Sequence, residues 1–346
     1  MSLRDEIGEQ PEVVRSVLVA NESAVTDVAA AIRERDAEFV LVAARGTSDH
    51  AAIYAQYVLG ARNGLPVALA APSLMSRFGT RPRLRRALVI GISQSGGSPD
   101  IVAVLREGRA QGALTLAITN DPMSELAAAA EWSLDLKAGT ERSIAATKTY
   151  TAELLALAML SAALADPAGS DDCRDLAELP ARIEAALDGE EQIRRAAMAR
   201  VGAGNFVVLG RGFEYATARE WALKLKEIAG VFAEGYSSAD FQHGPSTLVG
   251  QGLPVLAIAP AGPLHDELIE LLGSLQAERG ADVVVVSDQP DSPSGAAVLP
   301  LPAGTPDWLG PLVAIVPAQL FSYHLALARG HDPETPRGLR KVTRTL

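Results

Sequence analysis

The chain is predicted to be an α/β protein of two tandem doubly wound domains, each a parallel sheet flanked by helices, with a C-terminal tail. Three observations carry that reading. Near-continuous apolar runs rich in Val, Ile and Leu alternate with helical stretches, the pattern of strands covered on both faces. The runs recur in the same order at an offset of roughly 167 residues, as expected of a duplication. A length of 346 residues suffices for two domains, each with its own core.

After an N-terminal helix, EFVLVAARGTS (38–48) reads as a strand ending in a Gly turn, followed by a helix over 48–63. ALVIGISQSGG (87–97) is the second strand; its helix over 98–111 has Ser98 as N-cap and Pro99 at the first helical position. GALTLAITND (112–121) is the third strand, followed by a helix over 123–131. A long Ala/Leu-rich helix near 147–165 closes the first domain. The polar DPAGSDDCRD (166–175) marks a linker, and a helical hairpin runs to about residue 200. The second half repeats the order: strands in 205–215, 253–263 and 280–289, with helices over 214–230 and 264–279. The expected boundaries are 1–165, 166–200, 201–332 and a tail over 333–346.

Composition narrows the function classes. Net charge is −11 with no Lys/Arg run, which argues against nucleic acid, because phosphate-backbone binding needs a basic face. A single cysteine, Cys173, excludes an intrachain disulfide and a Cys-rich metal site. The acidic N-terminus is no secretory signal, and no uninterrupted apolar run approaches the ~18 residues of a membrane helix. A cytoplasmic protein without membrane contact is expected.

The most informative segment is IGISQSGGSPD (90–100), where a buried strand delivers Ser93, Gln94, Ser95, Gly96, Gly97 and Ser98 into a helix N-terminus. In an open parallel sheet, ligands bind at the carboxyl ends of strands. Three hydroxyls, an amide and two glycines at such a place cradle an anion, and the helix dipole adds positive potential. The alternative is a plain capping turn. At the equivalent place the second half has IAPAGPLH, which keeps a glycine and loses every hydroxyl. Structure alone tolerates either version, so the hydroxyls point to a ligand. Thr47 and Ser48, after the first strand, either donate to a substrate or cap the next helix. In the second half Lys224 and Glu227 share one face of a largely apolar helix, as an ion pair or as a general base beside its lysine. His243 follows in a loop bounded by Gly and Pro. Lys341 lies in a basic tail that either dangles or reaches back into a site.

These segments resemble the SIS (sugar isomerase) double-domain family, whose domains are flavodoxin-like. SQSGGSPD resembles the family's phosphate loop; GTERSIAATKTY (139–150), LGRGFEYATAREWALKLKEIAGVFAEGYSSADFQHGP and PRGLRKVTRTL resemble its other signatures. The resemblance extends from near residue 6 to Leu346. It is nearest to stand-alone SIS-type glucosamine-6-phosphate deaminases and also covers the isomerase half of glutamine–fructose-6-phosphate aminotransferase. It implies phosphate binding by Ser93, Gln94, Ser95 and Ser98 with Thr47 and Ser48 nearby, and a backbone contact near Ala145. It implies Glu227 as the base between C1 and C2, with Lys224 beside it. His243 would open the sugar ring from the other subunit of a homodimer with a shared active site, and Lys341 would serve Schiff-base chemistry. The substrate implied is a phosphorylated amino sugar, with no metal and no cofactor, the carbonyl and imine being the electron sink. Gly97-Ser98 and Ala146 depart from the aminotransferase pattern of Glu-Thr and Ser, which favours isomerizing deamination over synthesis. About 35 residues precede the first strand, too few for a glutaminase domain, so glutamine is not the expected nitrogen donor. Ammonia-dependent synthesis, deamination of another amino-sugar phosphate and a non-catalytic sugar-phosphate sensor are the alternatives.

Overall fold

The structure, a computed structural model, describes residues 2–165 and 171–341. The apolar runs form two five-stranded sheets in which every pairing is parallel. The first contains β1 (Phe39–Ala43), β2 (Val67–Leu69), β3 (Ala87–Ile92), β4 (Leu114–Thr119) and β5 (Trp132–Asp135) in the order β2-β1-β3-β4-β5. The second contains β6 (Asn205–Gly210), β7 (Phe232–Ser237), β8 (Pro254–Ile258), β9 (Asp282–Ser287) and β10 (Ala297–Pro300) in the order β7-β6-β8-β9-β10. Strand for strand the topology is the same, so the repeat in the sequence is a repeat of fold.

Three strands per half were expected and five are present. The additional β2, β5, β7 and β10 are the outermost strands of their sheets. Every residue of β3, β4 and β8 is buried, whereas β2 has no buried residue and β7 alternates buried with less buried positions. An outer strand lacks a neighbour on one side and does not need the unbroken apolar run that marks a central one. Accordingly 232–237, which lies outside the expected strands and helices, is β7.

The expected helices occur at Thr47–Asn63, Pro99–Ala110, Glu125–Ala129, Lys148–Ala165, Glu214–Ala229 and His265–Arg279. Of the expected linker, residues 166–170 lie outside the described residues, and Asp171 onward begins the helix Asp171–Leu187. The stretch Asp307–Ala328 is long and apolar enough to cross a membrane by length and mean composition, although polar residues such as Gln319 and Ser322 interrupt its apolar run. It contains the helix Gly310–Ala328, most of whose residues are buried among protein, and Trp221 meets its Phe321 edge-on at 5.4 Å between ring centroids. A core helix buried all round acquires the same composition as a membrane span.

The packing units do not follow chain order. One comprises Glu178–Leu339 with the N-terminal segment to Pro11 and Arg142–Thr147. The other comprises Glu12–Glu141, Lys148–Ala177 and the tail from Arg340. Within the former, Glu6 is fully buried and its carboxylate accepts the backbone N–H groups of Arg142 and Ser143.

The β3 turn depends on one glycine. Gly96 has φ of 58°, and a Cβ there would overlap the Ser124 side chain. Gly97 beside it is exposed, and a Cβ would meet nothing closer than 3.8 Å. Gly96→Ala is therefore expected to cost roughly 1–3 kcal/mol in stability, and Gly97→Ala less than about 1 kcal/mol. Urea denaturation of the two variants checks this; equal losses would remove the conformational argument.

Candidate active site

β3 releases the chain at Ser93 into a loop whose backbone is bonded to what surrounds it. Ser93 N–H donates to the Ile118 carbonyl at 3.1 Å, and the Gln94 carbonyl accepts Asn120 N–H at 3.1 Å. The Gly96 carbonyl accepts Leu126 N–H at 3.0 Å. The Ser93 hydroxyl is buried and accepts Gly96 N–H at 3.2 Å, so it shapes the loop. Gln94, Ser95 and Ser98 are half-buried. Ser98 is the N-cap residue, with Pro99 after it, but its side chain makes no capping bond. The nearest carboxylate along the chain, Asp100, is buried and held by Arg45 at 2.8 Å, which offsets its charge next to the loop.

Gln94, Ser95, Asn120, Lys137, Glu141 and Lys341 line one open cleft of about 660 Å³. Lys341, in the tail, reaches it and pairs with Glu141 at 3.1 Å. Glu141 is itself buried and fixed by Thr149, whose hydroxyl donates to it at 2.6 Å. Neither Glu141 nor Lys137 had been singled out by sequence; both lie in or next to the GTERSIAATKTY segment, where a carboxylate among small residues is the available signal.

Thr47 and Ser48 open the helix Thr47–Asn63, but the N-cap is Gly46. The Ser48 hydroxyl donates to buried Glu153 at 2.8 Å, so in this arrangement it serves the helix Lys148–Ala165. Ala145 is buried within Arg142–Thr147, the segment that packs with the second half.

In that second half, Lys224 is nearly inaccessible and lies between two carboxylates of its own helix. Glu220, fully buried, is 3.3 Å from its Nζ, and Glu227, one-fifth exposed, bonds it directly. Burial alone would lower the Lys224 pKa; the attraction of Glu220 and Glu227 overrides it and holds the ammonium above its ordinary range. Sequence reading had the Lys224–Glu227 pair and missed Glu220, four residues before Lys224 on the same face. His243 caps the short helix Ser238–Gln242, is exposed, and donates its backbone N–H to the Asp240 carbonyl at 3.1 Å. Apart from these groups, His265, Asp266 and Asp291 bring possible metal-ligand atoms within 4.8 Å, though two of the three are exposed.

Residues 32–163 and 201–329 both match the SIS domain. The chain belongs to the SIS domain family. It is 36% identical to a glutamine–fructose-6-phosphate aminotransferase (isomerizing) of Gloeobacter violaceus over 97% of this chain and 57% of that protein. This SIS chain thus spans little more than half of that relative. Among solved structures it is similar to the C-terminal domain of glucosamine-fructose-6-phosphate aminotransferase from Francisella tularensis. There the TM-score is 0.87 at 29% identity, covering 96% of this chain and 98% of that one. Glucosamine-6-phosphate deaminase from Thermotoga maritima superposes with a TM-score of 0.80 at 22% identity over the whole of both chains, a likeness of fold.

Lys224→Met in the second SIS domain would leave Glu220 buried without its cation. Breaking a buried pair from one side is expected to cost about 3–5 kcal/mol. Denaturation at neutral pH measures this, and unchanged stability would show that Glu220 does not depend on Lys224.

Proposed function

We propose that this SIS protein interconverts glucosamine 6-phosphate and fructose 6-phosphate plus ammonia, acting as an isomerizing deaminase. The observation that carries the reading is the joining of Gln94 and Ser95 with Lys341 in one cleft at the carboxyl edge of a parallel sheet. A phosphate at that edge would take hydrogen bonds from Ser95, Ser98 and Gln94 and gain from the N-terminus of Pro99–Ala110.

In this mechanism His243 assists opening of the sugar ring, contributed by the partner subunit of a homodimer. Glu227 takes the proton from C2 of the open chain and returns it at C1, while the proton lost from the nitrogen goes to O1, so that the C1 aldehyde becomes an alcohol and the C2 amine an imine. Water adds to the imine, ammonia leaves and fructose 6-phosphate remains. Lys224 bonds Glu227 directly, and Glu220 holds the same ammonium inside the helix packing. Lys341, positioned by Glu141, would condense with the C2 carbonyl of the open-chain ketose with loss of water, and hydrolysis of that Schiff base would return lysine and ketose. The reverse reaction, ammonia-dependent synthesis, is the second reading, favoured by the name of the Gloeobacter relative.

Ammonia release across a panel of hexosamine 6-phosphates, set against ammonium-dependent amination of fructose 6-phosphate, distinguishes the two directions. Deamination is expected to be fastest with glucosamine 6-phosphate; absence of turnover in either direction would overturn the reading. Ser95→Ala is expected to weaken sugar-phosphate affinity on the order of tenfold, since a bond to a charged acceptor contributes about 1.5–3 kcal/mol. Calorimetry on the folded variant with unchanged affinity would move the phosphate elsewhere. Glu227→Gln keeps shape and one acceptor but takes no proton, so turnover should fall by about 10²–10⁴ with little change in affinity. A loss of stability with turnover retained would reduce Glu227 to half of an ion pair.

A further inference from the structure

The carboxyl edge of the second sheet gathers a histidine and two aspartates that the proposed reaction does not use. β8 ends at Ile258, and residues 259–264 lead to a helix that starts at His265. Asp266 is the next residue, and Asp291 stands in the loop after β9. One ligand atom from each of His265, Asp266 and Asp291 lies within 4.8 Å of the other two.

The buried member fixes the geometry. His265 is 7% exposed, and its Nδ1 lies 3.0 Å from the Ala259 carbonyl and 3.2 Å from that of Pro260. Carbonyl oxygens only accept, so Nδ1 carries a proton and donates it. In the neutral ring the lone pair is then on Nε2, which faces an Asp291 carboxylate oxygen 3.1 Å away. Two acceptors so placed repel unless something positive joins them, a second proton or a metal ion. A carbonyl holding one ring nitrogen while the other is aimed at carboxylates is the arrangement that orients metal-binding histidines.

The loop is also held from behind. Ser287 Oγ donates to the Ala259 carbonyl at 2.7 Å, and Ala261 N–H donates to the Asp288 carboxylate at 2.7 Å. Both anchors come from the end of β9, whose loop carries Asp291, so the two sources of ligand atoms are tied together. The first half shows that folding alone does not need this histidine. There a loop of equal length, 93–98, leads to the matching helix, which starts with Pro99 and Asp100. Proline offers no ligand, and Asp100 is buried against Arg45, whereas Asp266 is exposed.

The donor set selects the class of ion. One imidazole nitrogen and two carboxylates suit a borderline divalent ion such as Zn²⁺, whereas Mg²⁺ and Ca²⁺ prefer oxygen alone. Zinc bonds of about 2.0–2.2 Å at tetrahedral angles place neighbouring ligand atoms roughly 3.3–3.6 Å apart. The 3.1 Å between His265 Nε2 and Asp291 is close to that spacing, and Asp266, being exposed, can rotate toward the same point. The helix start opposes a cation with about half a positive charge, which two carboxylates outweigh. We infer that His265, Asp266 and Asp291 form a divalent transition-metal site of the Zn²⁺ class, with water completing the shell.

The inference goes beyond the catalytic reading and is tested without turnover, so the failure of one leaves the other standing. The full chain, dialysed against EDTA, is titrated with zinc chloride in calorimetry and followed by thermal denaturation. Saturable uptake of one Zn²⁺ per chain and a raised Tm are expected, with neither from magnesium chloride at equal concentration. Losing one ligand should weaken zinc at least about tenfold, so Asp291→Asn and His265→Gln should each do so. Cys173 and His243 are exposed and are the competing places for zinc; a Cys173→Ser, His243→Ala double variant should keep the uptake. If His265→Gln does not fold, Asp266→Asn and Asp291→Asn, both at exposed positions, decide. Absence of saturable uptake leaves His265 and Asp291 as a protonated ion pair and overturns the inference. So does an equal response to magnesium, undiminished uptake in folded Asp291→Asn, or loss of uptake in the Cys173→Ser, His243→Ala variant.

Discussion

A strand in a parallel sheet covered on both faces can present polar groups only where it ends. All the strands of such a sheet end on one edge, so the burial that holds the sheet together also gathers the chemistry there. In the first half this constraint is nearly absolute: β3 and β4 are buried at every position, and the first residues after β3 are Ser93, Gln94 and Ser95. The loop's backbone is consumed by bonds to the β4 side, while the side chains of Gln94 and Ser95 face the cleft. Rigid backbone with available side chains is what binding without a large ordering cost requires.

Duplication makes the second half an internal control. Identical strand order and an equally buried β8 show that the fold does not need the hydroxyls of the first loop, because their counterparts are absent after β8. The second sheet's polar residues are instead a carboxyl at the start of one helix and a Glu-Lys-Glu row further along it. One architecture thus carries a hydroxyl-bearing edge in one copy and carboxyl groups in the other. Fold alone would assign both the same role.

Much of this is legible in the sequence, for physical reasons that also mark where legibility ends. Central strands announce themselves because both faces must be apolar; β2 and β10 do not, being outer and short. The hydroxyl loop is readable because three serines and two glycines between a strand and a proline-led helix have few other uses. Glu220 and Glu141 are not readable by composition, since a carboxylate is taken for surface until its burial is seen. Nor does any local pattern announce that Arg142–Thr147 packs with the N-terminal segment, because Glu6 makes that contact across more than a hundred residues of chain. Ser48 is legible as a hydroxyl at the sheet's edge, whereas its bond to buried Glu153, 105 residues away in the chain, is not.

The row Glu220, Lys224, Glu227 sets two carboxylates of one helix in unequal surroundings. Desolvating a carboxylate without compensation costs several kcal/mol. The arrangement meets this by unequal burial: Glu220 is inaccessible, while Glu227 keeps about a fifth of its side chain exposed. The inaccessible carboxylate acts as the fixed counter-ion that keeps Lys224 charged in a place where burial alone would discharge it. Lys224, held in that state, bonds Glu227, the member of the row that solvent reaches. Glu220 thus acts through Lys224, and Glu227 is the carboxylate of this row that keeps an exposed part.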